Sequence, residues 1–596
     1  MPTRLLATLL AACALVACRR ADLPYRVPAA DPATVRRPPA GEVVGGAGRY
    51  GSLAWLGIPY ATPPTGPRRW RAPEPLPPWT GRREALVFGP ACVQYGSRLG
   101  GAPGVAPGTP GGDEDCLTLN VWTPPAARAD ERRPVLVWIH GGGNTIGHAT
   151  MYDGGNLAVT HDLVVVSVQY RLGPFGWFQH PALQVEARDA IEASGNFGIL
   201  DLVRALEWVR DDIAAFGGDP GNVTIAGESA GALDVNALLL APPARGLFQR
   251  AIVESGGLWF DEPPAPPRAD GAVVQSPGEI AARLLQRDGK APDRAGAIAQ
   301  LAAMPAADVR TWLRGKPARE ILAAYQPMSS GMIDMPRVVR DGAVIPAGDP
   351  LDALARPDGW AHVPVLVGTN REENKLFMFA DPAQVRRVLW VVPRFVDEQT
   401  YLVNAEYLGR VWKAAGADAP ATAITRSQPD VFVYRFDWRD EPTVLGADLG
   451  KMLGAAHAFE IPFVFGHFDL GREGNVIYTS ANEPGRLALS KAMMSYWAAF
   501  ARQGAPGRGA HDDLPAWERW NDGRYLVLDS EHGGGIRMAA GVETRAGVLA
   551  DLDKDARLPT AAERCRTLKA LADWGRAITR ADYAARAECA PFPYGS

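Results

Sequence analysis

The chain has 596 residues, 47% of them hydrophobic, and carries a formal net charge of −4. That length is enough for a large buried core, and the near-neutral balance gives no electrostatic basis for binding nucleic acid. Six cysteines and nine histidines are scattered, with no Cys/His cluster at metal-ligand spacing, which argues against metal catalysis.

In chain order, the first element is an address. Arg4 precedes the apolar run Leu5 to Ala17, which is too short for a stable transmembrane helix. Leu15-Val16-Ala17-Cys18 follows the pattern of a bacterial lipobox, so residues 1–18 read as a lipoprotein signal peptide with Cys18 lipidated. Arg19, where retention at the inner membrane would call for Asp, is similar to lipoproteins of the outer membrane. An exported protein is expected, lipid-anchored at the outer membrane or periplasmic; the alternative is an ordinary secretory signal. Residues 19–45 are rich in Pro, Ala and Arg and read as a tether, leaving 46–596 as one folded domain. Without Cys13 and Cys18, four cysteines remain and allow three pairings. Sequence neighbours favour Cys92–Cys116 and Cys565–Cys589, formed in an oxidising compartment.

Pro134 to Ile139 reads as a buried strand and ends in His140-Gly141-Gly142-Gly143. Val223 to Ala226 is another, followed by Gly227-Glu228-Ser229-Ala230-Gly231 and the apolar run to Leu240. That order is strand, tight turn, helix. A serine on such a turn projects its hydroxyl clear of its neighbours, and glycines two residues either side avoid the adjoining strand and helix. Ser229 is the candidate nucleophile. The N–H groups of Gly142, Gly143 and Ala230 would supply three donors to the oxyanion formed when it attacks a carbonyl. A serine hydroxyl also needs a general base, and the base a third group that fixes its tautomer. Downstream, the strand run Val363 to Gly368 opens onto Glu372-Glu373, and Val431 to Phe436 is followed by His457. Strands alternating with helical segments such as Leu202–Phe216 and Leu487–Gln503 imply a mostly parallel, twisted sheet flanked by helices. The segment 557–596 has helical periodicity around Leu568, Leu571, Trp574 and Ile578, and pairing of Cys565 with Cys589 would close it as a helical extension.

Further stretches carry a family resemblance: Trp55 to Ala61, Glu114 to Val121, Tyr170 to Gly176, Gly195-Asn196-Phe197-Gly198 to Asp201, and Phe216 to Pro220. With the Ser229 motif they span about residues 43–530 and resemble the type-B carboxylesterases, which include bacterial carboxylesterases, cholinesterases and the non-enzymatic neuroligins. The resemblance implies an α/β-hydrolase fold with helical insertions over the active site. It implies Ser229 as nucleophile, Glu373 as triad acid and His457 as base, with Glu372 left to a salt bridge. Ser255 matches a position that supports the triad by hydrogen bonding, and Glu228 would line the pocket floor. The expected activity is hydrolysis of small carboxylic esters through an acyl-enzyme on Ser229, without a cofactor. Lipase, amidase or transferase action on the same triad is the alternative. A neuroligin-like binding role is remote because all three triad residues are present. Contact with a membrane is expected only through the N-terminal lipid. No Trp lies between Cys92 and Cys116, which disfavours a choline-ester specialist. Asn144 stands where the family has an aromatic and is expected to make the site more polar. Trp177, Phe178, Trp259, Phe260, Phe377 and Phe379 are candidates for an apolar pocket or for core.

Overall fold

Val-, Ile- and Leu-rich runs with few charges form strands that are buried on both faces, and these need helices above and below them. In the computed structural model, which describes residues 25–592 apart from 126–129, 269, 271–274, 390, 522 and 575–577, they pair into one eleven-stranded sheet. Its strands in chain order are β1 (Gly46–Ala47), β2 (Leu53–Pro59), β3 (Thr118–Thr123), β4 (Arg133–Ile139), β5 (Val164–Val168), β6 (Gly218–Glu228), β7 (Arg250–Glu254), β8 (Val365–Asn370), β9 (Val431–Phe436), β10 (Arg524–Leu528) and β11 (Arg537–Ala540). Across the sheet they run β11-β10-β9-β8-β7-β6-β4-β5-β3-β2-β1. The seven strands from β10 to β5 are mutually parallel, and both edges finish antiparallel.

The period of two divides the core. Val135, Val137, Val164, Val166, Val223, Ile225, Val365 and Val367 face one layer, with helices Phe197–Asp212 and Ala230–Leu240. Leu136, Trp138, Val165, Ala226, Ile252, Leu366 and Phe432 face the other, with helix Glu483–Gln503. Such alternation is what places adjacent residues of a strand on opposite faces. Helices Pro277–Arg287, Arg294–Ala303 and Ala306–Arg314 form an insertion between β7 and β8. Arg69 ties this insertion down: it bonds Glu114 through two nitrogens and donates to the carbonyls of Arg314 and Lys316.

Both expected disulfides are present, Cys92–Cys116 and Cys565–Cys589. The C-terminal extension consists of helices Ala561–Trp574 and Arg580–Ala584. Leu568, Leu571, Ile578 and Tyr583 pack with Tyr401, Tyr407, Leu408 and Val411 of helix Glu398–Lys413, so the extension is seated on the main body. The Trp574 side chain lies outside the described residues.

The expected tether 19–45 is corrected over residues 25–45, while 19–24 lie outside the described residues. From Tyr25 onward the chain is already packed: Val27, Thr34, Val43 and Val44 are buried. Thr34 accepts Trp55 Nε1 at 2.9 Å and binds the Gly45 N–H through its hydroxyl at 3.0 Å. The signal peptide 1–18, with Cys18, lies outside the described residues.

Candidate active site

Parallel strands that end together place their following loops on one edge, where residues distant in sequence meet. Here that edge holds the loop after β4, the turn after β6, and the loops after β7, β8 and β9. Ser229 follows β6 directly, with φ 59° and ψ −120°, a strained conformation for a non-glycine residue. A Cβ added at Gly227 would lie 2.6 Å from the Gly231 carbonyl carbon, and one at Gly231 would lie 2.0 Å from the Ile139 carbonyl oxygen. Only glycine fits at either position, as the sequence motif requires.

Glu373 and His457 meet as expected. His457 Nδ1 lies 2.6 Å from Glu373 Oε2, and the His457 N–H donates to the Glu373 carbonyl at 3.1 Å. The other Glu373 oxygen accepts the Asn370 N–H at 2.8 Å. The neighbouring Glu372 takes the structural role: its carboxylate accepts Lys375 Nζ at 2.7 Å and faces Arg439 at 3.2 Å. His457 Nε2 lies 3.2 Å from Glu228 Oε1, the side chain just before Ser229, and has no hydrogen-bond partner among the described residues. The structure therefore brings the ring to the serine turn without closing the Ser229–His457 hydrogen bond. Such bonds often tighten only when substrate is bound.

The glycine loop lies against this turn. A Cβ at Gly141 would sit 3.0 Å from the Ser229 Cβ. Gly142 and Gly143 have φ 108° and 62°, which glycine adopts without strain. Among the described residues, the N–H groups of Gly142, Gly143 and Ala230 donate to no protein acceptor. Behind the loop, His140 stacks on Tyr170 at 4.6 Å and its Nδ1 lies 2.9 Å from the Gly141 oxygen. Burial lowers the His140 pKa to about 4, so it stays neutral and holds the loop. Asn144 overturns its expectation. It is buried, donates to Asp234 at 2.8 Å and accepts from the Tyr170 hydroxyl at 3.2 Å, so its polarity braces the loop from behind. Arg337 went unread in the sequence; its guanidinium donates to the Gly143 oxygen at 3.0 Å.

Beneath the site lie four buried carboxyls: Glu228, Glu254, Glu373 and Glu460. Ser255 Oγ donates to Glu460 Oε1 at 3.0 Å, and Asn370 Nδ2 donates to Glu460 Oε2 at 2.5 Å. Ser255 thus reaches the triad loop through Glu460, which the sequence showed three residues after His457 but gave no role. Desolvation raises the Glu228 pKa to about 8, and the charges of Glu460 and Glu373 reinforce the rise against the opposing pull of His457. Burial also disfavours the His457 imidazolium, but the charge of Glu228 and the bond to Glu373 outweigh it and push the pKa up. Each charge thus favours the other: the Glu228 carboxylate favours the imidazolium, and the imidazolium favours the carboxylate. A protonated Glu228 would remove the larger of the charges that favour the His457 cation and leave Nε2 able to accept.

Aromatic residues wall the ring. Trp412 lies 5.0 Å and Phe377 5.4 Å from His457, and Trp259 packs edge-on to Trp412 at 5.2 Å. Of the other candidates, Trp177 and Phe178 belong to the main core, Phe260 packs against it, and Phe379 belongs to the C-terminal cluster. Trp412 was not singled out by sequence because helix Glu398–Lys413 carries no motif.

The chain is also similar to known proteins over most of its length. The sequence pattern of the Carboxylesterase family matches residues 36–389 and 397–542. An acylcarnitine hydrolase of Mus musculus is 33% identical over 544 residues, covering 83% of this chain and 86% of the mouse protein. A para-nitrobenzyl esterase of Bacillus subtilis is 33% identical over 510 residues, covering 82% and 93%. The crystal structure of a Geobacillus stearothermophilus carboxylesterase superposes with a TM-score of 0.63 at 32% identity, covering 85% of this chain and 98% of that one.

Proposed function

The chain belongs to the carboxylesterase family and is a serine hydrolase of carboxylic esters, and from that premise we propose how its residues divide the work. Ser229 is the nucleophile, His457 the general base and Glu373 the acid that orients it. The observation that carries this reading is the 2.6 Å contact between His457 Nδ1 and Glu373 Oε2. It keeps the proton on Nδ1 and turns the lone pair of Nε2 toward the serine turn. As Ser229 Oγ attacks the ester carbonyl, His457 takes its proton and Glu373 stabilises the imidazolium. The negative charge on the carbonyl oxygen is met by the N–H groups of Gly142, Gly143 and Ala230, already oriented and without other acceptors. The imidazolium protonates the departing alcohol. Water then attacks the acyl-enzyme by the same route and releases the acid.

The test is hydrolysis of a p-nitrophenyl ester series from acetate to laurate by the protein and its Ser229→Ala variant. The variant is expected to lose several orders of magnitude in kcat with KM little changed, since the hydroxyl acts in the transition state. Equal rates in both proteins overturn the assignment.

We also propose that the protein is exported and held at a membrane by a lipid on Cys18. The support is the Leu15-Val16-Ala17-Cys18 pattern and the two disulfides, which suit an oxidising compartment. Intact-mass measurement of the N-terminal peptide checks it; an unmodified Cys18 in exported protein is the contrary result.

A further inference from the structure

Two hairpins rise from the edge of the sheet that carries the site. The first pairs Val385–Val388 with Val392–Phe395 and follows β8; the second pairs Thr443–Val444 with Ala447–Asp448 and follows β9. The tip of the second hairpin is tied to the ladder of the first by Arg394, which donates to the Leu445 oxygen at 2.9 Å. Both tips present leucine to solvent, Leu389 at 80% and Leu445 at 72% exposure, with Val391 at 67% and Val388 at 42% beside them. Single apolar residues on a surface need no explanation, but Val388, Leu389 and Val391 gathered at one tip do.

The backbone sharpens the point. Leu389 has φ 50° and Leu445 φ 49°, and Gly446 follows at 73°. The Leu445-Gly446 turn has both central residues at positive φ, a conformation that strongly favours Asn or Gly in the first position. Leucine there is strained and exposed at once, so nothing inside the fold selects it. Charge adds a second, independent feature. The only charged residues of Val385–Phe395 are Arg386, Arg387 and Arg394, and Arg386 stands directly across the ladder from Arg394. Like charges in that position are unfavourable in water and favourable against a polyanion. Among the described residues no helix is long and apolar enough to cross a membrane.

We propose that the two hairpin tips form a peripheral docking surface for an anionic lipid bilayer. Leu389, Val391 and Leu445 enter the headgroup boundary, the arginines meet the lipid phosphates, and the edge that carries Ser229 is turned toward the membrane. This goes beyond the proposed catalytic assignment and does not depend on it, nor on the lipid at Cys18.

The experiment uses the full chain with Cys13 and Cys18 replaced by serine, and a single nitrobenzoxadiazole label on Leu389→Cys, on Leu445→Cys, or on Val185→Cys as a distant exposed reference. Vesicles of phosphatidylcholine, with or without phosphatidylglycerol, are then titrated in. Labels at 389 and 445 are expected to brighten severalfold and shift to the blue with the anionic vesicles, while the label at 185 stays unchanged. Arg386→Gln with Arg387→Gln is expected to weaken that response about tenfold, and added salt to weaken it in the parent. No response at either tip overturns the proposal, as does an equal response at 185. A response that follows protein concentration without vesicles also overturns it, because the surface then joins two copies of the chain. Unchanged hydrolysis of soluble p-nitrophenyl acetate by the labelled proteins confirms that they are folded.

Discussion

At the level of single side chains, the coupling of Glu228 to His457 bears most directly on the chemistry. Their facing atoms are 3.2 Å apart, and both side chains are buried. Removing the Glu228 charge takes away a force that favours the imidazolium. Glu228→Gln is therefore expected to move the acid limb of the kcat/KM profile to lower pH, with the plateau rate lowered much less than by loss of the triad. A profile measured from pH 4 to 10 on p-nitrophenyl acetate shows this; a limb moving to higher pH contradicts it. Glu373→Gln acts differently. It keeps the shape but reverses which nitrogen of His457 carries the proton, so kcat is expected to fall about 10⁴-fold with the near-UV circular dichroism unchanged. The residues that sequence did not rank, Glu460, Trp412 and Arg337, share one trait. Each acts through the position of something else, and a role of that kind leaves no local pattern around it.

Among the elements, the strand–turn–helix at Ser229 is the most tightly determined. Gly231 abuts the Ile139 carbonyl of the neighbouring strand, so Gly231→Ala forces β4 and β6 apart or tilts the helix. It is expected to lower stability by about 1–3 kcal/mol and to cut activity together with it, which urea melts read beside initial rates show. This element was legible from sequence because its constraint is steric and local. Strands β4, β6, β8 and β9 were legible for a similar reason, since a strand covered on both faces shows as an unbroken apolar run. The eleven-stranded width was not, because edge strands such as Gly46–Ala47 are only two residues long. Residues 25–45 misled for another reason: prolines signalled a tether, while Val27, Thr34 and Val43 found buried places that only the folded body supplies. Asn144 misled in the same way, its polarity serving Asp234 and Tyr170 and not the substrate.

Across the whole molecule, the C-terminal extension braces the helix whose Trp412 faces His457. Replacing Cys565 and Cys589 by serine opens a loop of 24 residues and is expected to remove about 3 kcal/mol from the extension. Hydrogen exchange within 561–589 then rises roughly a hundredfold at constant sheet protection, and esterase activity persists at low temperature but fades earlier on heating. If activity vanishes at once, the extension belongs to the site and not to its support. The site also has a dimension in time. Ser255 reaches Glu460 across 205 residues of chain, and Glu254 meets Trp497 across 243. Contacts that distant form slowly, and a chain made from its N-terminus carries its serine long before the histidine exists to activate it. The growing polypeptide is thus chemically silent, and its reactivity is switched on by the closing of the fold itself.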